Sequence, residues 1–486
     1  MKDNKYAKNS PYNINEYEFH TVENALASAD VNDSTAVLES TETFAEKRRK
    51  EIREAPTSVE ISGTSYYVAN DGDDTNDGRN ENAPWKTLER VSSAQLSAGD
   101  GVFFRRGDLF RGQLITKKGV TYSAYGTGDK PKIYGSRKNY ANCGFWLKTD
   151  KANVYASAEA FEQDVGLIVF DGGKEWGEKM SYGIKNYEWR GDAPSFDGVL
   201  QSDLQFHHNK EDNLVYLYSE KDPNTRGTSC EIGFEELCLS GEGDGVTIDN
   251  LCIKYIGAHA VGYGGTCVEN LTVKNCEFGW IGGSLQPTSN GRIVRYGNAV
   301  EIYGGCRNFV VENCYIYQCY DAGVTHQYFG NRPDFLSMEN VRYSDNVIEY
   351  CTYAIEWVNS QKEENGIMKN IEFSHNLLLY SGEGWGVQRP YRHDSPFKGW
   401  QHTNRAENFV IYDNVATARD EKTHLVVLGC EREEYVPALF GNLFVGVREN
   451  PFGVYGFKGN EPFRYDEATP TLPGLSENRF SFIKNI

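Results

Sequence analysis

The chain has no long hydrophobic run, no excess of positive charge and no even set of cysteines. Its first residues, MKDNKYAKNSPYNINEYEFH, hold no apolar stretch of signal-peptide length, and no segment approaches the ~20 apolar residues of a membrane span. Taken as written, the chain is expected to be cytoplasmic; a secreted chain already trimmed of its leader would read the same. The 50 Lys and Arg are outnumbered by 69 Asp and Glu, for a net charge of −19. A nucleic-acid partner is therefore not expected, because phosphate binding needs a basic patch. Eleven Cys leave at least one thiol without a partner in the chain, and a disulfide scaffold is not expected at this length. No metal site is expected either. The pair His207-His208 has no Cys or acid at ligand spacing and reads as an exposed hairpin.

What is present is an aromatic- and glycine-rich chain of 486 residues, 13% aromatic with 49 Gly, which suits strands and an aromatic-lined surface and does not suit disorder. Its length implies one elongated domain or two to three compact ones. We divide it into a polar N-terminal extension (1–63), helical around Thr43–Glu54 and stopped by Pro56; an opening segment of short strands (64–140); an insertion that includes a small β-subdomain (141–244); repeated coils (245–445); and a C-terminal tail packing on them (446–486). In the opening segment, Asp71–Asp77 resembles half of a calcium loop. Asp73 + 11 is Pro84 and not the Glu an EF-hand requires, so an Asx-rich turn is expected, with calcium as the alternative.

From Gly245 a strand–turn unit recurs, with turn asparagines at Asn250, Asn275, Asn313, Asn346, Asn376 and Asn414. Their spacings of 25, 38, 33, 30 and 38 residues describe a fixed coil carrying loops of varying length, the mark of a solenoid. Coils stack ~4.8 Å apart, and Asn above Asn can form an amide ladder. Cys276, Cys314 and Cys351 fall at interior positions, as small hydrophobes.

A second short strand recurs in each coil, and its alternation decides which side chains face outward. Aligning His259, Asn298, Asp321, Tyr353 and Glu383 as its first column places Glu301 and Glu356 in the outward fourth column, two coils or ~10 Å apart, with Asp321 on the coil between. Ala322-Gly323 after Asp321 leave room for a ligand to approach the backbone. Paired carboxyl groups, one protonated and one ionised, are the chemistry of glycoside hydrolysis, and crowding of like charges raises one pKa as a general acid requires. We therefore expect Asp321, Glu301 and Glu356 to be catalytic. Around them Arg295, Tyr303, His326, Gln327, Tyr328, Trp357, Glu383, Gln388, Arg389, His393 and Asp394 are expected to bind substrate hydroxyls or offer a stacking face, as would Trp280 and Trp385. The acidic balance makes a neutral glycan the more natural ligand than an anionic one.

The segment YYV…DG…ND…PWKTL…GD.V.F.RGD.FRG, followed by coils with Asn in their turns, resembles the right-handed parallel β-helix carbohydrate-active proteins of the pectate-lyase-like superfamily over about residues 64–445. The resemblance implies an all-β, right-handed parallel β-helix whose opening segment caps the coil. Within the superfamily the chain looks most like the lacto-N-biosidase-type glycoside hydrolases, with the β-helix fucosidase and xylanase group close behind. It then implies an oligosaccharide or polysaccharide substrate, no cofactor, and a helical partner subunit or domain as in some members. Lacto-N-biosidase-type enzymes use two aspartates seven residues apart. If Asp321 matches the first, the second position holds Tyr328, so Glu301 or Glu356 would have to serve as partner. Two other classes remain beside a hydrolase: a polysaccharide lyase, which needs a basic residue or calcium beside a uronate, and a non-catalytic glycan-binding or partner subunit.

Overall fold

Three long parallel sheets wind around one apolar interior, and the chain is a right-handed parallel β-helix with an inserted β-subdomain. The structure, a computed structural model, describes residues 16–180, 200–265, 267–287, 293–328, 337–360, 366–389, 393–402, 404–430, 435–447, 452–454 and 477–483. Each coil contributes one strand to an eleven-stranded, a ten-stranded and a nine-stranded sheet. Within 446–486, Phe452–Val454 and Arg479–Ile483 extend two of these sheets as further parallel strands. Val, Ile, Leu, Phe and Cys at alternate positions fill the interior, among them Cys276, Cys314, Cys319 and Cys351, and all eleven cysteines are free thiols.

The turns show why the repeat is so regular. Asn250, Asn275 and Asn313 adopt left-handed backbone conformations (φ 57°, 54° and 50°), which Asn tolerates better than most residues. From the next coil on, that position belongs to Asp345, His375 and Asp413, and the asparagine lies one residue later. Glu312 pairs with Ser344, so Asn346 stands over Cys314 and not over Asn313. The amide ladder is therefore in two parts, Asn313 to Asn275 (2.6 Å) and then Asn346–Asn376–Asn414–Asn442–Asn478 (2.8–3.0 Å). A second ladder, Asn270–Asn308–Asn340–Asn370–Asn408, runs on another turn at 2.8–3.0 Å.

The helix of the extension spans Ser34–Glu54, longer than the Thr43–Glu54 read from the sequence, with Asp33 capping it through Ala36 N. Together with Thr21–Leu26 it covers the outer face of the ten-stranded sheet: Val22, Ala25, Val37, Ala45 and Ile52 pack on Tyr315, Val347, Leu377, Val415 and Leu443. Arg49 pairs with Glu349 (2.7 Å) and Arg53 with Glu277 (3.3 Å). No described helix is long and apolar enough to cross a membrane.

The insertion forms a three-stranded and a five-stranded sheet around its own aromatic core. His207 and His208 are buried there and not on an exposed hairpin: His207 Nδ1 lies 2.9 Å from Met180 O and His208 Nε2 3.0 Å from Phe161 O. In the Asp71–Asp77 loop, Asp73 accepts from Thr75, Asp74 from Lys86 and Thr87, and Asp77 from Arg79, while Asp71 pairs with Arg105 at 2.7 Å.

Candidate active site

The nine-stranded sheet carries the acids. Its strands Val261–Gly264, Val300–Tyr303, Ala322–Tyr328, Tyr353–Asn359 and Ser395–His402 pair in parallel, and the register sets Gly262, Glu301, Thr325, Glu356 and Lys398 in one outward column. Glu301 and Glu356 are two coils apart, as expected. The residue between them is Thr325 and not Val324, whose side chain is in the core.

Asp321 explains the difference. Cys314 stands over Asn346 and Ala322 over Tyr353, so eight steps on one coil (322 − 314) match seven on the next (353 − 346). Asp321 is the extra residue, at the corner just before its strand, and it is not in the first column; Ala322 is. The following small residues admit protein and not ligand: a Cβ on Gly323 would stand 2.6 Å from Ile348 and 2.8 Å from Ala354 O. Asp321 Oδ1 lies 2.5 Å from Arg389 Nη1.

The fifth strand of the expected column, the one beginning at Glu383, is absent. Trp385–Gln388 is a single 3₁₀ turn, and the chain returns to the sheet only at Ser395, which brings Lys398 beside Glu356. Lys398 Nζ is 2.6 Å from Glu356 Oε1 and 3.7 Å from the centre of the Tyr353 ring. Gln327 donates to the other Glu356 oxygen (3.1 Å). Burial pushes the Glu356 carboxyl above its usual value, Asp321 adds to the push, and Lys398 offsets it in part. Burial would lower the Lys398 ammonium, but Glu356 outweighs it and the pKa is raised. At the other end of the column, Asn298 Nδ2 donates to Glu301 Oε2, and His259 Nδ1 lies 3.1 Å from that oxygen. The buried Thr325 hydroxyl has no hydrogen-bond partner among the described residues, so a polar group is available midway between the two glutamates.

Several expected binding residues serve the scaffold instead. The strand starting at Ala322 turns His326 and Tyr328 inward, where both are buried; His326 Nδ1 lies 2.8 Å from the Tyr343 hydroxyl (Oη) and its pKa is pushed down to about 3 by burial. Trp357 is also interior, its ring where a side chain on Gly399 would stand. Trp280 and Trp385 are buried beneath the insertion with Tyr320. Arg295 is buried with its guanidinium 4.2 Å from the Tyr320 ring, donating to Gly283 O, and Gln388 joins it to the insertion by accepting from Lys179 N (3.0 Å). Glu383 pairs with Arg419 and lines a separate cavity of about 900 Å³ with residues of the N-terminal extension such as Asp33 and Ser34. Asp394 is buried against Gly382.

Others remain near the column. Tyr303 is 41% exposed, Gln327 bonds Glu356, and Arg389 holds Asp321. His393 stacks on Trp400 at 5.6 Å, and Trp400 lies 5.6 Å from Lys398 Nζ. Lys398 and Trp400 have no part in the sequence reading of the site, and His259, Asn298 and Thr325 enter it only as positions of the aligned strands. The signal for Lys398 was the alternation in Phe397-Lys398-Gly399-Trp400 after the long excursion.

No family model matches the chain. It is 36% identical over 141 residues to a lacto-N-biosidase of Bifidobacterium longum subsp. longum; the match covers 26% of this chain and 8% of that protein's own length. Among solved structures, a complex of XylC with xylose superposes with a TM-score of 0.43 at 13% identity, covering 79% of this chain and 69% of that one. A glycoside hydrolase gives 0.44 at 10% identity, with 80% and 94% covered. A GH136 lacto-N-biosidase from Eubacterium ramulus gives 0.36 at 13% identity, with 92% and 71% covered. The chain is thus a parallel β-helix protein similar, over part of its length, to a lacto-N-biosidase.

Proposed function

We propose that the chain is a glycoside hydrolase acting on an oligosaccharide or polysaccharide, with Glu356 as general acid and Asp321 as nucleophile or base. The observation that carries this reading is that two carboxyl groups stand on neighbouring coils in different surroundings. Glu356 is buried, which pushes its carboxyl above the usual value although Lys398 offsets this in part, whereas Asp321 lies against a guanidinium. Such a split between two carboxyls is what acid–base division of labour requires. Glu301, two stacking steps or ~10 Å from Glu356 along the column, is the more distant partner. The partial similarity to a lacto-N-biosidase supports host or milk-type glycans as the first substrates to try.

One observation favours a second reading. The column that reads as acidic in sequence also holds Lys398, with Arg389 close by, and a lyase could use such a base against a uronate. A panel of neutral and uronate-containing glycans separates the two. Release of reducing sugar that is lost in Glu356→Gln and Asp321→Asn supports the hydrolase. An unsaturated product absorbing in the ultraviolet overturns it in favour of the lyase, and binding without turnover overturns both.

A further inference from the structure

The column of left-handed turn residues that begins with three asparagines changes its chemistry to Asp345, His375 and Asp413 on three successive coils. The N-terminal segment docks on this stretch. Asp413, fully buried, accepts from the backbone N–H groups of His20 (2.7 Å), Thr21 (2.7 Å) and Val22 (3.0 Å). The His20 ring stacks on that of His375, with centroids 4.4 Å apart and planes at 19°, and its Nε2 is 3.9 Å from Asp345 Oδ1. Donor atoms of His20, His375 and Asp413 all lie within 4.8 Å of one another.

The roles within the cluster follow from hydrogen bonding. Asp413 is surrounded by donors, and His375 Nδ1 lies 2.8 Å from its Oδ2, so Nδ1 carries the proton and the His375 lone pair is left on Nε2. A carboxylate that fixes a histidine tautomer in this way is the usual support of a metal-binding imidazole. His20 supplies a second imidazole from another part of the chain and Asp345 a carboxylate. Two imidazoles and a carboxylate, with a coordination position left for water, suit a borderline ion such as zinc better than magnesium or calcium.

We infer that His20, His375 and Asp345, with Asp413 orienting His375, form a binding site for a divalent transition metal of the zinc class that clips the N-terminal segment to the β-helix. Zinc–nitrogen bonds of ~2.0–2.1 Å place two imidazole nitrogens about 3.3 Å apart around a tetrahedral ion. Asp345 lies outside the group whose donor atoms are within 4.8 Å of one another, so closure takes rotation of both His20 and Asp345, whose side chains are 49% and 40% exposed.

The test is to strip the full-length chain with EDTA and titrate it with zinc sulfate, by calorimetry and by thermal unfolding. Saturable one-to-one binding and a raised thermal midpoint are expected, with magnesium giving neither. Cleavage of the N-terminal segment by a protease should slow when zinc is present. His20→Ala and Asp345→Asn, both at partly exposed positions, should fold without metal and lose affinity ~10-fold or more, the range seen when ligands or their supports are removed. Absence of saturable binding, or binding unchanged in both variants, overturns the site and leaves the cluster as an ion-paired dock.

Discussion

Glu356 and Lys398 face each other from neighbouring coils, in register and with 2.6 Å between carboxylate oxygen and ammonium nitrogen, both buried on the outer side of the sheet. A buried pair of this kind is costly to break from one side only, because the survivor is an uncompensated charge, at about 3–5 kcal/mol. Glu356→Gln should therefore lower turnover ~10²–10⁴-fold as loss of a general acid and also lower the thermal midpoint. The double variant Glu356→Gln/Lys398→Met should recover most of that stability and none of the activity. A double-mutant cycle with both readouts checks this; two additive stability losses would show that the pair is not coupled.

Asp321 is bound to Arg389, with both side chains largely buried. Asp321→Asn is expected to reduce turnover ~10²–10⁴-fold or more and to cost stability as well, since it removes the ion pair with Arg389. Arg389→Lys should keep the charge but lose the fork geometry, and so retain more stability than activity. Steady-state kinetics beside chemical denaturation separate the two effects. Unchanged turnover in Asp321→Asn would remove it from the reaction.

The interior should make the fold acid-sensitive. Burial holds His326 down to about 3 and His402 to about 4, against an ordinary value of 6.5. The unfolded chain then binds more protons than the folded one below pH 6.5, so stability falls as pH drops from 6.5 toward 4. Each histidine contributes a slope of at most about 1.4 kcal/mol per pH unit in that window. Denaturation midpoints measured across it should show the slope, and His402→Leu should flatten it. A stability independent of pH there would mean that these rings are not buried neutral.

Activity should follow Glu356 in the opposite sense. Its carboxyl is raised above the usual 4.5, so the acid form persists to higher pH and turnover should decline as pH rises through that raised value. The alkaline limb of the pH–rate profile should disappear in Glu356→Gln, in whatever activity remains.

Tyr303, exposed beside the column, should touch substrate without supporting the fold. Tyr303→Ala is expected to raise KM several-fold with little change in thermal midpoint, whereas a loss of stability would place the ring in the scaffold.

How much could be read without coordinates depended on what was local. Alternation with period two and the recurring asparagine turns determined that Val300 and Ile302 point inward and Glu301 outward, and likewise Ile355, Trp357 and Glu356, so two members of the acid column followed from the chain alone. The parallel β-helix followed from the same repetition, because a unit that recurs at uneven spacing must close on itself and shed its extra residues into loops.

Tertiary structure decided the rest, through register. A single additional residue, Asp321, moved its strand by one position and sent His326 into the core while setting Thr325 between the glutamates; with period two, one residue inverts every face. The excursion between Leu379 and Ser395 hid the strand that carries Lys398 and made Glu383–Gln388 look like its replacement. Arg295 and Gln388 were polar residues near the right place in sequence, but burial beneath the insertion made them fasteners. Only pairing between coils distant in sequence could say which polar groups share a column, because hydrogen-bonded register belongs to the stacked structure and not to any one strand.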